Sequence, residues 1–276
     1  MRTGLVLEGG GMRGAYTAGA LDYLMEHELY YSYVIGVSAG ACNATSYISR
    51  QIGRNRKVTV DFITDPRYLS YRNLLKEKSM FGMKFIFDEI PRRLVPFDFD
   101  AFHASPQQFV VGTMDARTGE AVYYTKEAVK DDLLTIVQAS SSLPFISRPV
   151  VQNGRELLDG GICDPIPIRK SIADGNERNV IILTQVKSYR KRPFRWGWLA
   201  RKLYPQYRGL IDVMSRRHHT YNDTLDYVDE LEQDGKAIVI RPTADLQVSR
   251  MEKNPAKLAA MYELGYRDAE RQKKMY

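Results

Sequence analysis

Short apolar runs alternate with longer amphipathic stretches in the first part of the chain. Gly4–Glu8 and Tyr33–Val37 are apolar runs of the length expected for buried parallel strands. Met12–Glu28 carries apolar residues at near-helical spacing, and small residues fill Ala39–Ser49. This order of strand, helix, strand and helix predicts a parallel sheet with crossover helices. The loops that follow the two strands are therefore expected at one edge of the sheet, where open α/β sheets bind ligands.

The pattern is less regular in the middle of the chain and clearer again near its end. Residues 65–106 mix aromatic, proline and charged residues without a clear period, and we interpret them as a set of short helices that cover the sheet edge. Beyond them, the predicted strands are Gln108–Met114, Ala121–Thr125, Asn179–Val186 and Ala237–Arg241, and the predicted helices are Ala128–Ser141, Gly209–Gln233 and Pro255–Lys273. No repeat or flexible linker divides the chain.

A glycine-rich turn, Gly9-Gly10-Gly11-Met12-Arg13-Gly14, follows the first predicted strand. Its spacing matches the G-x-G-x-x-G turn of dinucleotide-binding proteins, in which backbone N–H groups approach a pyrophosphate. The same geometry, with exposed amides at the positive end of a helix, also holds a reaction oxyanion. A tight turn without chemistry is the third interpretation, and the motif alone leaves all three open.

A serine stands at the corresponding turn after the second strand, in Gly36-Val37-Ser38-Ala39-Gly40. This pattern is typical of a nucleophile elbow, in which the glycines make room for a sharp turn that presents the serine hydroxyl. A simple helix N-cap is the alternative role for Ser38. The two glycine turns begin 27 residues apart, about one crossover unit, so Ser38 is expected beside free amides. A dinucleotide site would instead need an acidic residue near the end of this strand. The pair of turns therefore favours acyl transfer.

A serine nucleophile needs a base, and the chain offers two kinds. The four histidines are His27, His103, His218 and His219. His218 or His219 would close a Ser–Asp–His triad by chain order, but each lies beside arginines, and the elbow of α/β-hydrolases follows several strands rather than one. Leu157-Leu158-Asp159-Gly160-Gly161 places a carboxylate after a short apolar run. Asp159 within hydrogen-bonding reach of Ser38 would act as a general base directly, whereas an isolated Asp–Gly pair more often marks a turn.

These three motifs, in this order, resemble those of the patatin-like phospholipase family: G-G-G-x-[R/K]-G, G-x-S-x-G and D-G-[A/G]. All three are intact, at Gly9–Gly14, Gly36–Gly40 and Asp159–Gly161, and the resemblance covers roughly residues 3–172. It implies a three-layer α/β/α sandwich with a mainly parallel central sheet, and lipid acyl-ester hydrolysis with no metal and no cofactor. Position by position, it implies Ser38 as the nucleophile and Asp159 as the base.

The resemblance also implies roles around the transition state. The amides of Gly10, Gly11 and Met12 are the implied oxyanion donors. Arg13 either orders this loop, meets an anionic head group or is a surface residue. Two apolar stretches, residues 80–87 and 96–102, either line an acyl groove or pack in the core. Residues 173–276 are expected to continue the same α/β domain.

Positive charge is concentrated in one segment. The 276 residues include 40 basic and 33 acidic ones, a net charge of +7. Lys187–Arg217, called the basic segment below, holds ten basic residues and one acidic residue, together with both tryptophans and four other aromatic residues. Cations near an anionic lipid surface contribute about 1 kcal/mol each, and tryptophan prefers the membrane interface. Single-stranded nucleic acid is the alternative partner for such a composition. Beside the catalytic motifs, an anionic membrane surface is the favoured interpretation, and no nucleic acid is expected.

The candidate membrane-binding residues are Arg190, Lys191, Arg192, Arg195, Trp196, Trp198, Arg201 and Lys202. No apolar run approaches the ~20 residues that a transmembrane helix needs. The apolar stretch among the first residues is too short for a signal peptide. Cys42 and Cys163 make neither a disulfide framework nor a metal site. A cytoplasmic protein, peripheral at the inner membrane face, is therefore expected.

The function expected from the sequence is hydrolysis of phospholipid or lysophospholipid acyl esters through a Ser–Asp dyad and an acyl-enzyme. A general carboxylesterase or thioesterase of the same fold is the first alternative. A dinucleotide-binding protein and an inactive lipid-binding scaffold are the others. The oligomeric state, acyl length and head group are left open.

Overall fold

The computed structural model describes residues 2–275. Within that range the strands are β1 (Thr3–Leu7), β2 (Tyr33–Val37), β3 (Gln108–Asp115), β4 (Ala121–Thr125), β5 (Val150–Gln152), β6 (Arg155–Asp159), β7 (Arg178–Ile182) and β8 (Ala237–Ile240). The α-helices are α1 (Gly14–Glu26), α2 (Ala39–Ile48), α3 (Arg54–Arg56), α4 (Tyr71–Glu77), α5 (Phe99–Ala104), α6 (Leu133–Ser140), α7 (Ile168–Ala173), α8 (Gly197–Leu203), α9 (Arg208–Gln233) and α10 (Pro255–Arg271). Single 3₁₀ turns occupy Gly11–Arg13 and Gly160–Ile162, and wider π-type turns occupy Lys57–Asp61 and Phe85–Leu94.

All the strands between residues 2 and 275 belong to one sheet, in the order β5-β6-β3-β2-β1-β7-β8, with β4 also paired to β3. Strands β1, β2, β3, β7 and β8 run parallel to their neighbours. Strands β4 and β6 run antiparallel to β3, and β5 runs antiparallel to β6. The mainly parallel sheet that the sequence predicts is confirmed, and β1 and β2 end side by side at one edge.

Successive residues of the central strands face opposite sides of this sheet, as the period of a strand requires. Leu5 and Leu7 of β1 pack in a cluster with apolar side chains of α1, α2, α6 and α10. Val6, between them, packs in a second cluster with α7 and α9. Each fully buried side chain of this kind contributes about 1.5–3 kcal/mol, so both helical layers are held to the sheet. The result is the three-layer α/β/α sandwich.

The main differences from the sequence prediction lie at short or polar elements. The predicted strand Asn179–Val186 ends at Ile182, because the Thr184 amide donates to the carboxylate of Glu8 and draws the chain out of the sheet. The helix predicted from Ala128 begins at Leu133, and the short strand β5 was not predicted. The irregular stretch 65–106 does form short helices, as expected.

The basic segment folds partly into the sandwich. Tyr207 is buried, and Phe194 and Tyr204 pack around Phe145 in a small cluster beside β3 and β6. Trp196 and Trp198 instead remain 58% and 61% exposed. None of the helices between residues 2 and 275 is both long and apolar enough to span a bilayer.

Helices α1 and α10 cross with almost no separation between their backbones. A Cβ atom on Gly265 would lie 2.0 Å from the carbonyl oxygen of Tyr16, and one on Gly19 would lie 1.9 Å from that of Tyr262. Two buried hydrogen bonds join the same helices, from Tyr262 to Asp22 (2.6 Å) and from Tyr16 to Asp268 (3.1 Å). The crossing therefore depends on glycine at both contact points.

We predict that Gly265→Ala lowers the free energy of unfolding by about 1–3 kcal/mol, because an added methyl group forces two backbones apart. Denaturant unfolding followed by circular dichroism measures this change. Gly197→Ala is the matched control, since a Cβ at Gly197 meets no atom within 4 Å. Equal stability of the two variants would show that the helices do not cross this closely.

Candidate active site

The turn between β2 and α2 holds Ser38 in a strained backbone conformation. Its φ and ψ are 53° and −128°, a region that non-glycine residues rarely adopt. The flanking glycines leave no room for side chains, because a Cβ on Gly36 would lie 2.7 Å from the Ala41 amide nitrogen and one on Gly40 would lie 2.5 Å from the Leu7 carbonyl oxygen. This is the geometry of a nucleophile elbow.

Strand β3 brings Ser38 and Asp159 together through neighbouring pairing positions. Val37, the last residue of β2, pairs with Gly112, and Asp159, the last residue of β6, pairs with Thr113. Because Gly112 and Thr113 are adjacent, the residue after Val37 lies beside Asp159. The Ser38 side chain lies close enough to the Asp159 carboxylate to lower its pKa.

The Asp159 carboxylate is only 2% exposed. Burial raises its pKa above the ordinary value of 3.8. The Ser38 hydroxyl, the positive charge of Arg217 and the Gly161 amide (2.7 Å from Oδ1) oppose this rise without cancelling it. A carboxylate with a raised pKa accepts a proton more readily than an ordinary one, which is the property that a general base requires.

Two serines that the sequence analysis did not single out as site residues support the pair. The Ser140 hydroxyl accepts from the Ser38 amide (2.8 Å) and donates to the Gly112 carbonyl (2.7 Å). The Ser142 carbonyl accepts from the Asp159 amide at 2.9 Å. The end of α6 and the residues just after it therefore anchor both Ser38 and Asp159. The only signal in the sequence is the serine run before Leu143, which carries no chemistry by itself.

The glycine-rich turn offers two free amides. Gly9 donates to the Pro165 carbonyl at 3.3 Å. Met12, expected as a third oxyanion donor, donates instead to the Arg250 carbonyl at 3.1 Å, and this corrects the sequence prediction. Among the residues that the structure describes, the amides of Gly10 and Gly11 have no hydrogen-bond acceptor, so they remain available to an oxyanion.

The other members of this turn have supporting positions. Arg13 is half-buried, its Nε has no hydrogen-bond partner within residues 2–275, and its side chain faces Glu8 and Arg250. Burial and the charge of Arg250 lower its pKa. Gly14 packs so closely on α2 that a Cβ would lie 2.7 Å from Ala39 Cβ.

A cavity of about 140 Å³, called the apolar cavity below, opens at Ser38 and is also lined by Gly11. The apolar stretches that the sequence left open, residues 80–87 and 96–102, both reach it. Side chains of these stretches in its wall are Phe81, Met83, Ile86, Phe87 and Phe97. The thiol of Cys42 also lines it, and burial raises the pKa of this thiol to about 11. The cavity therefore places mostly apolar side chains next to the serine.

The histidines lie elsewhere. His27 bonds to the Tyr23 carbonyl, His103 lies against Phe102, and His218 and His219 contact each other with ring centroids 3.9 Å apart. Within residues 2–275, no histidine hydrogen-bonds to Ser38 or Asp159. The alternative base therefore has no geometric support.

Seven of the eight candidate membrane-binding residues are exposed. The exception is Lys191, which is half-buried with its ammonium group 5.0 Å from the centre of the Tyr221 ring. Its backbone is held to α9 by hydrogen bonds with Asn222. Lys191 therefore faces the protein and was wrongly assigned to the membrane-binding set.

A family model described as patatin-like phospholipase matches residues 5–172 of this sequence. The chain belongs to the patatin-like phospholipase family. A second model, a domain of unknown function (DUF6363), matches residues 207–276. Family membership favours the acyl-transfer interpretation of the glycine-rich turn over the dinucleotide-binding one.

Relatives span more than this chain. The chain is 26% identical over 240 residues to the uncharacterized protein YjjU of Escherichia coli K12, covering 83% of this chain and 65% of YjjU. It is 25% identical over 225 residues to the probable lipid hydrolase 463L of Invertebrate iridescent virus 6, covering 70% of this chain and 73% of that protein. The crystal structure of VipD from Legionella pneumophila shares the fold, with a TM-score of 0.55 and 15% identity, over 98% of this chain and 66% of VipD.

The pH dependence of the free energy of unfolding should reflect the buried Asp159 carboxylate. Because the native pKa of Asp159 is raised, the native state is favoured while this carboxyl is protonated and loses that advantage as the pH rises through the native pKa. Asparagine stays neutral, so we predict that Asp159→Asn unfolds at a higher denaturant concentration than the wild type at pH 8. The difference should shrink toward pH 4, where the unfolded carboxyl also becomes protonated. A variant less stable than the wild type at pH 8 would contradict this account.

Proposed function

We propose that this chain is a serine acyl hydrolase that cleaves fatty-acyl esters of phospholipids or lysophospholipids through Ser38 and Asp159. The observation that carries the proposal is the buried Ser38–Asp159 pair, whose serine lines the apolar cavity. The family to which the chain belongs supports the class of reaction. The chain spans only about two thirds of YjjU, so the activity is proposed from this chain's own geometry.

In the first half-reaction, Asp159 accepts the proton of Ser38 as Oγ attacks the ester carbonyl carbon. The tetrahedral oxyanion lies at the free amides of Gly10 and Gly11, each contributing about 2.7–4 kcal/mol to the barrier reduction. Asp159 then returns the proton to the leaving alcohol oxygen as the ester bond breaks. An acyl-enzyme on Ser38 remains.

In the second half-reaction, the Asp159 carboxylate takes a proton from water as the water oxygen attacks the acyl carbonyl. The same two amides hold the second oxyanion. Collapse of this intermediate breaks the bond to Oγ, and the proton passes from Asp159 to Ser38. Fatty acid leaves along the apolar cavity, and both catalytic groups are restored.

We also propose that α8 brings the enzyme to an anionic membrane surface. Trp198 and Leu203 are 61% and 52% exposed on this helix, and Arg201 and Lys202 are exposed between them. Exposed tryptophan next to cations is the combination that favours the headgroup region of a bilayer.

Ser38→Ala and Asp159→Asn should each reduce hydrolysis of a short-chain nitrophenyl ester by at least 10²-fold, the lower end of general acid–base contributions. Initial rates and circular dichroism measure activity and folding together. Ser215→Ala and Asp212→Asn, on the surface of α9, are matched controls that should keep wild-type rates. Retained turnover in folded Asp159→Asn would exclude the dyad.

Vesicle flotation tests the membrane proposal. Wild-type protein should float with vesicles that contain phosphatidylglycerol and remain unbound with pure phosphatidylcholine. Arg201→Gln combined with Lys202→Gln should weaken partitioning by about tenfold or more, since each cation contributes about 1 kcal/mol. Arg267→Gln combined with Lys273→Gln removes the same charge from the region of α10 and should bind as the wild type does. Equal flotation with both vesicle types would exclude an electrostatic contribution to membrane binding.

A further inference from the structure

A second cavity, of about 930 Å³ and called the basic cavity below, lies next to the Asp159-Gly160-Gly161 motif. It meets the apolar cavity at Leu143, which lines both. Ile162, from the 3₁₀ turn that Asp159 begins, forms part of its wall. The two cavities therefore adjoin near the catalytic motifs: the apolar cavity is lined by Ser38 and mostly apolar side chains together with Arg54, and the basic cavity is lined by several cations.

Six cations line the basic cavity, and three of them, Lys191, Arg217 and Arg250, come from separate parts of the fold. The Arg217 guanidinium donates to the Gly161 carbonyl at 3.0 Å, two residues after the base. The Arg250 carbonyl accepts from Met12, next to the free amides. The charges of both arginines also act on Asp159. Hydrogen bonds thus connect the cationic wall to the turn after Asp159 and to the glycine-rich turn.

The carboxylates that act on these three cations, Asp159 on Arg217 and Glu8 on Lys191, form no ion pair with them in the described chain. Among the residues that the structure describes, none of Lys191, Arg217 and Arg250 forms an ion pair within 4.0 Å. The nearby carboxylate of Glu8 is engaged by the Tyr221 hydroxyl (2.6 Å) and the Thr184 hydroxyl (2.9 Å). Nδ1 of His218, which also lines the cavity, is buried with no partner in the described chain. The wall therefore presents cations without an ion-pair partner and a buried imidazole nitrogen without a hydrogen-bond partner in the described chain.

Burial and repulsion from neighbouring cations both lower the pKa of Lys191. Burial, together with the charges of Arg217, Arg250 and Arg13, lowers its pKa to about 6, and Glu8 only partly opposes this. Tyr221 is the remaining titratable group against its ammonium. An anion placed among these groups would relieve the repulsion and restore the charge of Lys191.

We propose that the basic cavity binds the phosphate of a phospholipid head group while the acyl ester lies at Ser38 and the chain fills the apolar cavity. This inference rests on the proposed acyl-hydrolase function and specifies its substrate class: acyl esters whose head group is net anionic. The outer rim is cationic as well, with Arg192 and Arg195 exposed at its mouth. A choline group would bring a further cation against this rim, whereas a glycerol head group would not.

Three lipids with a single acyl chain test the proposal: lysophosphatidylglycerol, lysophosphatidylcholine and monoacylglycerol, each below its critical micelle concentration. Wild-type enzyme should hydrolyse lysophosphatidylglycerol with at least tenfold higher kcat/KM than either of the others. Lys191→Met should raise KM for lysophosphatidylglycerol about tenfold, since it removes a charge-assisted contact. The ratio of its kcat/KM on lysophosphatidylglycerol to that on monoacylglycerol should therefore fall about tenfold.

Lys253→Met is the matched control, because Lys253 is exposed on the Arg250 loop and does not line the cavity. It removes the same charge and should leave all three substrates unaffected. Equal wild-type activity on the three lipids, or equal losses in Lys191→Met on all three, would overturn the phosphate site and leave the acyl-hydrolase function intact. Absence of hydrolysis with every ester would instead contradict the proposed function.

Binding tests the site independently of turnover. Isothermal titration of Ser38→Ala with an ether-linked lysophosphatidylglycerol should give proton uptake near pH 7, because the anion raises the pKa of Lys191. Adding Lys191→Met should abolish that uptake and weaken affinity about tenfold. Inorganic phosphate should compete with the lipid if the cavity recognises phosphate itself. Undiminished affinity and uptake after Lys191→Met would refute the site.

Discussion

The pairing of β2 and β6 with adjacent residues of β3 is the constraint on which the site depends. Gly112 pairs with Val37, the last residue of β2, and Thr113 pairs with Asp159, the last residue of β6. Ser38 directly follows Val37. A slip of one residue in either pairing would turn the side chains to the other face. Ser140 reinforces the register, because its hydroxyl links the Ser38 amide to the Gly112 carbonyl. The sheet therefore sets the geometry of the pair, and the loops add the oxyanion donors.

This arrangement stores unfavourable energy at the reaction centre. Ser38 has a strained backbone, Asp159 is a carboxylate withdrawn from water, and unpaired cations gather beside it. The surrounding sandwich, with two well-packed faces and the close crossing of α1 and α10, supplies the stability that tolerates these costs. Strain and burial here serve reactivity, since they present the hydroxyl and raise the basicity of the carboxylate.

Local chemistry made much of the fold predictable. The apolar runs of β1 and β2, and the glycines that must follow them, indicated parallel strands and two turns at one edge, and this is what the structure contains. The positions of Ser140 and Met12 depended on long-range partners. Gly112 lies 28 residues before Ser140. The Met12 amide donates to the carbonyl of Arg250, which lies near the other end of the chain. Lys191 was misassigned for the same reason: a charge run indicates a solvated surface until tertiary contacts turn one member inward.

The most direct test of the central claim is the pH dependence of covalent labelling of Ser38 by a fluorophosphonate, followed by intact-protein mass spectrometry. If Asp159 is the base, the wild type adds one label at Ser38 and its rate rises with pH through a single ionisation above the ordinary carboxyl range. Asp159→Asn then labels at least 10²-fold more slowly and without that ionisation. Labelling of another residue, or an unchanged rate and profile in Asp159→Asn, would contradict the account.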